Sequence, residues 1–231
     1  MKNESMTEPI GRVQTLSEYD SKRMLARVGI PVTSELLVDT PDAAVEAAHD
    51  LGIPVVPVVV KLCGARIAHK TERDLVRLGL ADGAAVQAAA EELLAAARPE
   101  DGEVAVLVSQ MVTGKRELIA GAAHDPTFGP CIMLGIGGIF AEVVADVVFR
   151  LVPLRPSDVD DMIGSLNNAA WLEAFRGEPP VDRVRLGEVL LGLSGLMESD
   201  HSIRSIDVNP LIIAEDGVPI AVDSLVERAS T

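Results

Sequence analysis

Cysteine, aromatic and basic residues are all scarce in this chain. Only Cys63 and Cys131 occur among its 231 residues, far apart and in apolar contexts. That argues against a disulfide framework and points to a reducing compartment. Aromatic residues make up 3% of the sequence, with one Trp and one Tyr, so aliphatic side chains must fill the interior. Lys and Arg number 20 against 35 Asp and Glu, a formal charge of −15. Such a balance speaks against a nucleic-acid or anionic-membrane surface, and any bound polyphosphate would need local Lys, Arg or metal. Long hydrophobic runs are missing as well: no stretch of about 18 apolar residues exists for a membrane span. The opening Met1-Lys2-Asn3-Glu4-Ser5 has no apolar h-region, so no secretory leader is expected and the predicted location is cytoplasmic.

What the chain does have is 48% hydrophobic residues and the length for one large domain or two lobes, each with its own core. Residues 1–14 read as a polar, loosely ordered lead-in. Leu16 to Val28 reads as a helix with Leu16, Tyr19, Met24, Leu25 and Val28 near one face, stopped by Gly29. Ile30 to Thr33 and Glu35 to Val38 read as short extended pieces. Thr40-Pro41-Asp42 is a helix start, with an N-cap, Pro at the first helical position and an acid at the dipole; that helix ends at Gly52. Strands are predicted at Val58–Leu62, Leu75–Leu80 and Val104–Met111, with a helix over Asp82–Arg98. Further strands are predicted at Glu117–Ala123 and Cys131–Leu134. Ile139–Val147 fits either a helix or a strand. Helices are expected at Pro156–Gly164 and Val181–Ser199, then strands at Ser205–Pro210 and Pro219–Val222 joined by a hairpin around Glu215-Asp216-Gly217. The predicted class is α+β, two lobes with a cleft between them.

Several residues could carry chemistry. Lys61 closes an apolar strand, where a lysine either snorkels to solvent or meets a phosphate. The loop Gly64 to Thr71 nearly fits a P-loop, but His69 replaces the second glycine and a strand-like segment follows instead of a helix. His69 on its own reads either as a solvated loop residue or as a nucleophile. Gly135-Ile136-Gly137-Gly138 is either a turn or a nest of backbone N–H groups for an anion. Glu142, Asp146 and Arg150 would share a face if helical, which is also how a salt-bridged solvent surface looks. Asp207 and Asn209 fall on one face of a strand, and Asp223 lies on the next. Those three oxygen ligands suit Mg²⁺, although turn-favouring residues of a surface hairpin would look similar. Ser109 to Val112 ends a strand between the lobes, a hinge that could offer backbone groups to an adenine edge. His49, His124 and His201 have no assigned role, and Trp171 reads as packing.

Taken in order, these motifs resemble the ATP-grasp domain of the NDP-forming acyl-CoA synthetases, the group of ADP-forming acetate–CoA ligase. The β subunit of succinyl-CoA synthetase is more distantly similar. The resemblance spans roughly residues 15–228. It rests on Leu16-Ser17-Glu18-Tyr19, Gly29-Ile30-Pro31, Val58-Val59-Val60-Lys61, Ile67-Ala68-His69-Lys70-Thr71-Glu72 and Gly114 to Gly121. Asp125 to Pro130, Gly135 to Glu142, Asp207-Val208-Asn209-Pro210-Leu211 and Ala221-Val222-Asp223 complete it.

The resemblance implies an ATP-grasp fold, with residues 30–112 as one subdomain and residues 1–29 with 113–231 as the other. By the same resemblance, Lys61 contacts nucleotide phosphates, Gln110 and Val112 flank the adenine, and Glu117 helps hold the nucleotide. Gly135, Gly137 and Gly138 line the phosphate path, Arg150 offsets phosphate charge, and Asp207, Asn209 and Asp223 carry Mg²⁺. His69 is the implied carrier of the phosphoryl group exchanged with ATP/ADP. The implied reaction is acid + CoA + ATP ⇌ acyl-CoA + ADP + phosphate. A small carboxylic acid and CoA would be supplied by a CoA-binding α subunit or domain, in an α₂β₂ assembly. Two departures stand out. Asp74-Leu75 replaces the glycine pair usual after the histidine motif, and Pro54 to Val60 looks like a local duplication. The rival readings are a free-standing ATP-grasp carboxylate–amine ligase and a non-catalytic nucleotide-binding module.

Overall fold

The computed structural model describes residues 13–67, 70, 72–138, 146–175 and 177–230. His69 and Glu142 lie outside these residues, as does most of the ambiguous stretch 139–147.

Two antiparallel sheets organise the chain. The smaller contains β2 (Glu35–Val38), β3 (Val58–Cys63), β4 (Val76–Leu80) and β5 (Ala105–Gln110), in the order β2-β5-β3-β4. Helices α2 (Pro41–Leu51) and α3 (Gly83–Ala95) supply the other half of its core. Their starts follow from their caps. The Thr40 hydroxyl accepts from the Ala43 N–H, and the Asp82 carboxylate accepts from the Ala85 N–H. Gly52 closes α2 at φ 117°, a left-handed conformation that costs glycine little. β3 is buried along its whole length because both of its faces are covered. Val58, Val60 and Leu62 point into the helix-covered core. Period two then puts Val59, Lys61 and Cys63 on the opposite face.

The larger sheet runs β1-β11-β9-β6-β7-β8, with β10 also paired to β9. Its strands are β1 (Val13–Thr15), β6 (Arg116–Asp125), β7 (Gly129–Ile136), β8 (Val147–Leu151), β9 (Ile203–Ile213), β10 (Pro219–Ala221) and β11 (Ser224–Ala229). α4 (Pro156–Gly164) and α5 (Arg183–Ser199) pack on it around a second aliphatic core that includes Leu118, Leu134, Leu190 and Val208. Helix α1 (Glu18–Arg27) lies against β11, where the Ser21 hydroxyl accepts from the Val226 N–H. The chain crosses between the sheets at Ile30–Ser34. There Val32 bridges Ala221, and the Ala221 N–H donates to the Pro31 carbonyl.

Three expectations need correcting. The lead-in is ordered from Val13, because β1 pairs with β11. The buried face of α1 is Glu18, Ser21, Lys22 and Leu25 rather than the predicted apolar stripe, and Val28 is exposed. Asp146 and Arg150 do not share a helix face. Arg150 sits in strand β8, while the Asp146 carboxylate accepts from the backbone and side-chain amides of Asn167 and Asn168.

Candidate functional site

A cavity of about 370 Å³ opens between the two sheets. Val59, Val76, Leu78, Met111, Ile212 and Val222 give it apolar walls, and Lys61, Ser109, Gln110 and Asp223 are among its polar groups. The size and the few convergent polar groups are typical of a small-molecule site. Lys61, Gln110, Val112 and Asp223, proposed from separate stretches of sequence, all line it. The Gln110 amide is fixed by donating to the Leu51 carbonyl at 2.7 Å.

Beneath the cavity lies a buried cluster of charge. Glu18, Lys22, Lys61 and Lys70 are 3%, 0%, 7% and 8% exposed. Charges this buried persist only when paired. Glu18 Oε1 lies 2.6 Å from Lys61 Nζ and 2.8 Å from Lys22 Nζ, and Oε2 lies 2.9 Å from Lys70 Nζ. The Lys70 contact is ionic rather than a well-aligned hydrogen bond. Lys61 also donates to the Val222 carbonyl at 2.9 Å, and Lys70 to Asp223 Oδ1 at 3.2 Å. Lys22 pairs with Glu35 and donates to Thr33 Oγ1 at 3.2 Å. Burial alone would raise the Glu18 carboxyl, but Lys61, Lys22 and Lys70 outweigh it and hold it far below the carboxylate range. Burial likewise works against the charged forms of Lys22 and Lys70, and their carboxylate neighbours reverse it, so both are pushed up.

The oxygen ligands gather at the same place. Asp207 and Asn209 project from one face of β9, as predicted, with Val208 turned into the core between them. The Asn209 N–H donates to the Asp223 carbonyl at 3.3 Å, which ties the three residues together. Crowding at the cleft floor, followed by the charge of Asp223, pushes the Asp207 carboxyl up even though solvent reaches it. Burial, then the charge of Glu18, does the same to Asp223 against the pull of the lysines. Two carboxylates whose surroundings both favour the protonated form suit a hard cation that would take the proton's place. Among the described residues no three His, Cys, Asp or Glu side chains converge as a metal site. The set is therefore two carboxylates and an amide, sparse enough for Mg²⁺, which takes its remaining oxygens from phosphate and water.

The other predicted residues lie further out. Glu117 is on β6 and is not among the cavity-lining residues; its carbonyl accepts from the Gly137 N–H at 2.8 Å. Gly137 is pressed so closely on β6 that a Cβ would lie 3.1 Å from the Glu117 and Leu118 backbone. A Cβ on Gly135 would lie 2.6 Å from Val147 Cγ1. Packing alone thus accounts for both glycines, whereas Gly138 is itself exposed and holds φ +74°. Arg150 stands on the edge strand β8, bonded to the Phe149 carbonyl and the Ser165 hydroxyl, and is not among the residues lining the cavity. Asp74 does line the cavity, with φ 55°. That left-handed backbone is one that glycine adopts at little cost and aspartate less readily. Sequence reasoning missed Glu18, Lys22, Glu35 and Lys70. The only local signal was the i, i+4 spacing of Glu18 and Lys22, which equally describes a solvent-facing pair.

The sequence profile of the ATP-grasp domain matches residues 11–227. The β subunit of ADP-forming acetate–CoA ligase II from Pyrococcus furiosus is 35% identical over 204 residues, 87% of this chain and 85% of that one. The ADP-forming 4-hydroxybutyrate–CoA ligase of Nitrosopumilus maritimus is 36% identical over 205 residues; the match covers 87% of this chain but only 29% of that protein. Among solved structures, the dinucleotide-forming acetyl-coenzyme A synthetase 1 of Ca. Korarchaeum cryptofilum, in complex with coenzyme A, Ca-AMPCP and HgCl+, aligns with TM-score 0.85 at 30% identity, over 93% of both chains. The same synthetase with coenzyme A and Mg-AMPPCP, its phosphohistidine segment pointing towards the nucleotide binding site, aligns with TM-score 0.79 at 31% identity, over 93% of this chain and 92% of that one. The chain belongs to the ATP-grasp family, in the branch formed by the β subunits and β-like domains of ADP-forming acyl-CoA synthetases. It spans less than a third of the fused relative and most of the split one. No helix among the described residues is long and apolar enough to cross a membrane.

Proposed function

We propose that this chain is the nucleotide-binding part of an ADP-forming acyl-CoA synthetase and moves a phosphoryl group between ATP and His69. The observation that carries this reading is the cavity, which gathers Lys61, Gln110, Val112 and Asp223 from three separated segments. Adenine would lie between the aliphatic walls beside Gln110 and Val112, with the phosphates toward Lys61. Asp207, Asn209 and Asp223 would hold Mg²⁺, which when bound supplies charge neutralisation for the phosphates. A neutral imidazole nitrogen of His69 attacks the γ-phosphorus, the bond to the bridging oxygen breaks, and ADP departs. The protein's share of this catalysis is positioning and electrostatic stabilisation. The phosphoryl group then passes to the carboxylate of the acid bound on a CoA-binding α partner, and the CoA thiol attacks that acyl phosphate, releasing phosphate and leaving the thioester. The related synthetase with its phosphohistidine segment turned to the nucleotide supports this order. In this reading the lobes divide at residues 30–112, an α₂β₂ assembly forms, and the reducing cytoplasm suits the two free cysteines.

The test is calorimetric titration of the chain with Mg-ATP and Mg-ADP. Saturable binding of both, abolished by Lys61→Met, is expected. Absence of binding would favour a non-catalytic module. Binding without any need for His69 in turnover would favour a carboxylate–amine ligase.

A further inference from the structure

Two lysines, one lining the cavity and one bonded to its wall, keep donor capacity that the described residues do not use. An ammonium group has three N–H donors. Lys22 is enclosed by Glu18, Glu35, Thr33 and the Val222 carbonyl, and it is 0% exposed. Lys61 Nζ meets two acceptors among the described residues, Glu18 Oε1 and the Val222 carbonyl. Lys70 Nζ also meets two, Glu18 Oε2 and Asp223 Oδ1. Among the described residues, one donor is therefore left on each. Lys61 lines the cavity, and Lys70 is 3.2 Å from Asp223, which lines it too.

We infer that Lys61 and Lys70 form a two-point clamp for the phosphate groups of the nucleotide, and that Glu18 is the residue that positions both. This deepens the reading of the cavity as an ATP site and rests on it. Glu18 Oε1 takes Lys61 as well as Lys22, and Oε2 takes Lys70, so one rigid group fixes the spacing of the Lys61 and Lys70 ammonium groups that would otherwise repel each other. Glu18 is itself held by its place in the first turn of α1 and by Lys22 from the next turn. The lysines come from β3 and from the loop that leads to β4, so only the fold brings them together. Charge-assisted contacts to phosphate in a dry site are strong, and a pre-set geometry spares the ordering of two long side chains. Lys22, with its donors taken, serves the clamp only by holding Glu18.

The experiment is an NMR titration of the full chain with Mg-ATP and, separately, with adenosine, followed to millimolar concentrations. Lys70→Met should weaken ATP binding roughly tenfold or more and leave adenosine binding unchanged. Glu18→Asp keeps the charge but withdraws the carboxylate by one methylene, so it should fold and still weaken ATP selectively. Added to the Lys61→Met/Lys70→Met double variant, Glu18→Asp should change ATP affinity less than twofold, because it acts through those lysines. Wild-type ATP affinity in both Lys70→Met and Glu18→Asp would overturn the clamp. Tighter ATP binding in Glu18→Asp would overturn it too, since Glu18 would then be competing with phosphate. An equal loss of ATP and adenosine binding would reduce Glu18 to a structural role and overturn its positioning. A wild-type chain that binds no ATP would overturn the reading of the cavity itself, a failure separate from that of the clamp.

Discussion

The two lobes bury their interiors with hydrocarbon, whereas the seam between them buries charge. Val60, Val106 and Leu93 in the small lobe and Leu118, Leu134 and Leu190 in the large one are fully enclosed. At the seam, Glu18 on the large-lobe side meets Lys61 and Lys70 from the small lobe, and Lys22 is answered by Glu35 on β2. Apolar packing specifies each lobe but is non-directional. Crossed ion pairs fix how one lobe faces the other, and they leave charged groups at the edge of a cavity. The seam is therefore where stability and chemistry share residues, and substitutions there should separate it from the cores.

The largest effect should come from Glu18→Ala, which leaves buried lysines short of a counter-charge. A loss of about 3–5 kcal/mol is expected in urea unfolding. Leu93→Ala in the small-lobe core should cost about 2–5 kcal/mol by opening a cavity. The two differ in salt dependence, because only the seam is electrostatic. A Glu18→Ala loss well under about 1 kcal/mol would erase the distinction drawn between seam and core.

Acid should act on the seam next, with two opposite phases. Asp207 and Asp223 have raised carboxyls, so their protonation is favoured in the folded state and stability should first rise as the metal-free chain is acidified from neutral pH. Glu18 is held below its ordinary 4.5, and Asp101, bonded by Arg73, is lowered from 3.8 to about 2. Their contributions are fully present above those ordinary values and are lost as pH falls below them. Urea midpoints measured from pH 7 to pH 2 should thus pass through a maximum, with a steep fall below about 4.5. A curve that declines steadily from pH 7 would contradict the assignment of the raised pair.

The smallest effect is expected from Asp74→Gly. Asp74 holds φ 55°, and its pair with Arg77 at 3.1 Å is solvent-exposed. Glycine relieves the left-handed strain but makes the unfolded chain more flexible, and the exposed ion pair contributes little. A net gain of about 0.5 kcal/mol is expected in urea midpoints. A clear loss would show that the Asp74 side chain holds the cavity edge.

Much of the fold was legible because its signals are local. Thr40-Pro41 and Gly52 mark both ends of α2, and alternation around Asp207 and Asn209 identified their shared face. β8 and β11 were missed, because Val147-Val148-Phe149-Arg150-Leu151 and Ser224 to Ala229 become strands through pairing with β7 and β9 rather than by their own pattern. The buried face of α1 was misread for a similar reason. Glu18 and Lys22 look like surface residues until Lys61, 43 residues away from Glu18, and Glu35 are brought to them by the tertiary fold. The part of the site that follows motifs was readable. The part that holds those motifs in place was not, because ion pairs between distant segments leave no spacing in the sequence.

The central claim is phosphoryl exchange through His69, and the most direct test is labelling with γ-³²P-ATP and Mg²⁺. The account predicts an acid-labile, base-stable label on the wild-type chain, mapped to His69, removed by added ADP and absent from His69→Asn. If the chain binds ATP and, with a cognate α subunit present, forms acyl-CoA while neither labelling nor turnover changes in His69→Asn, the account is contradicted.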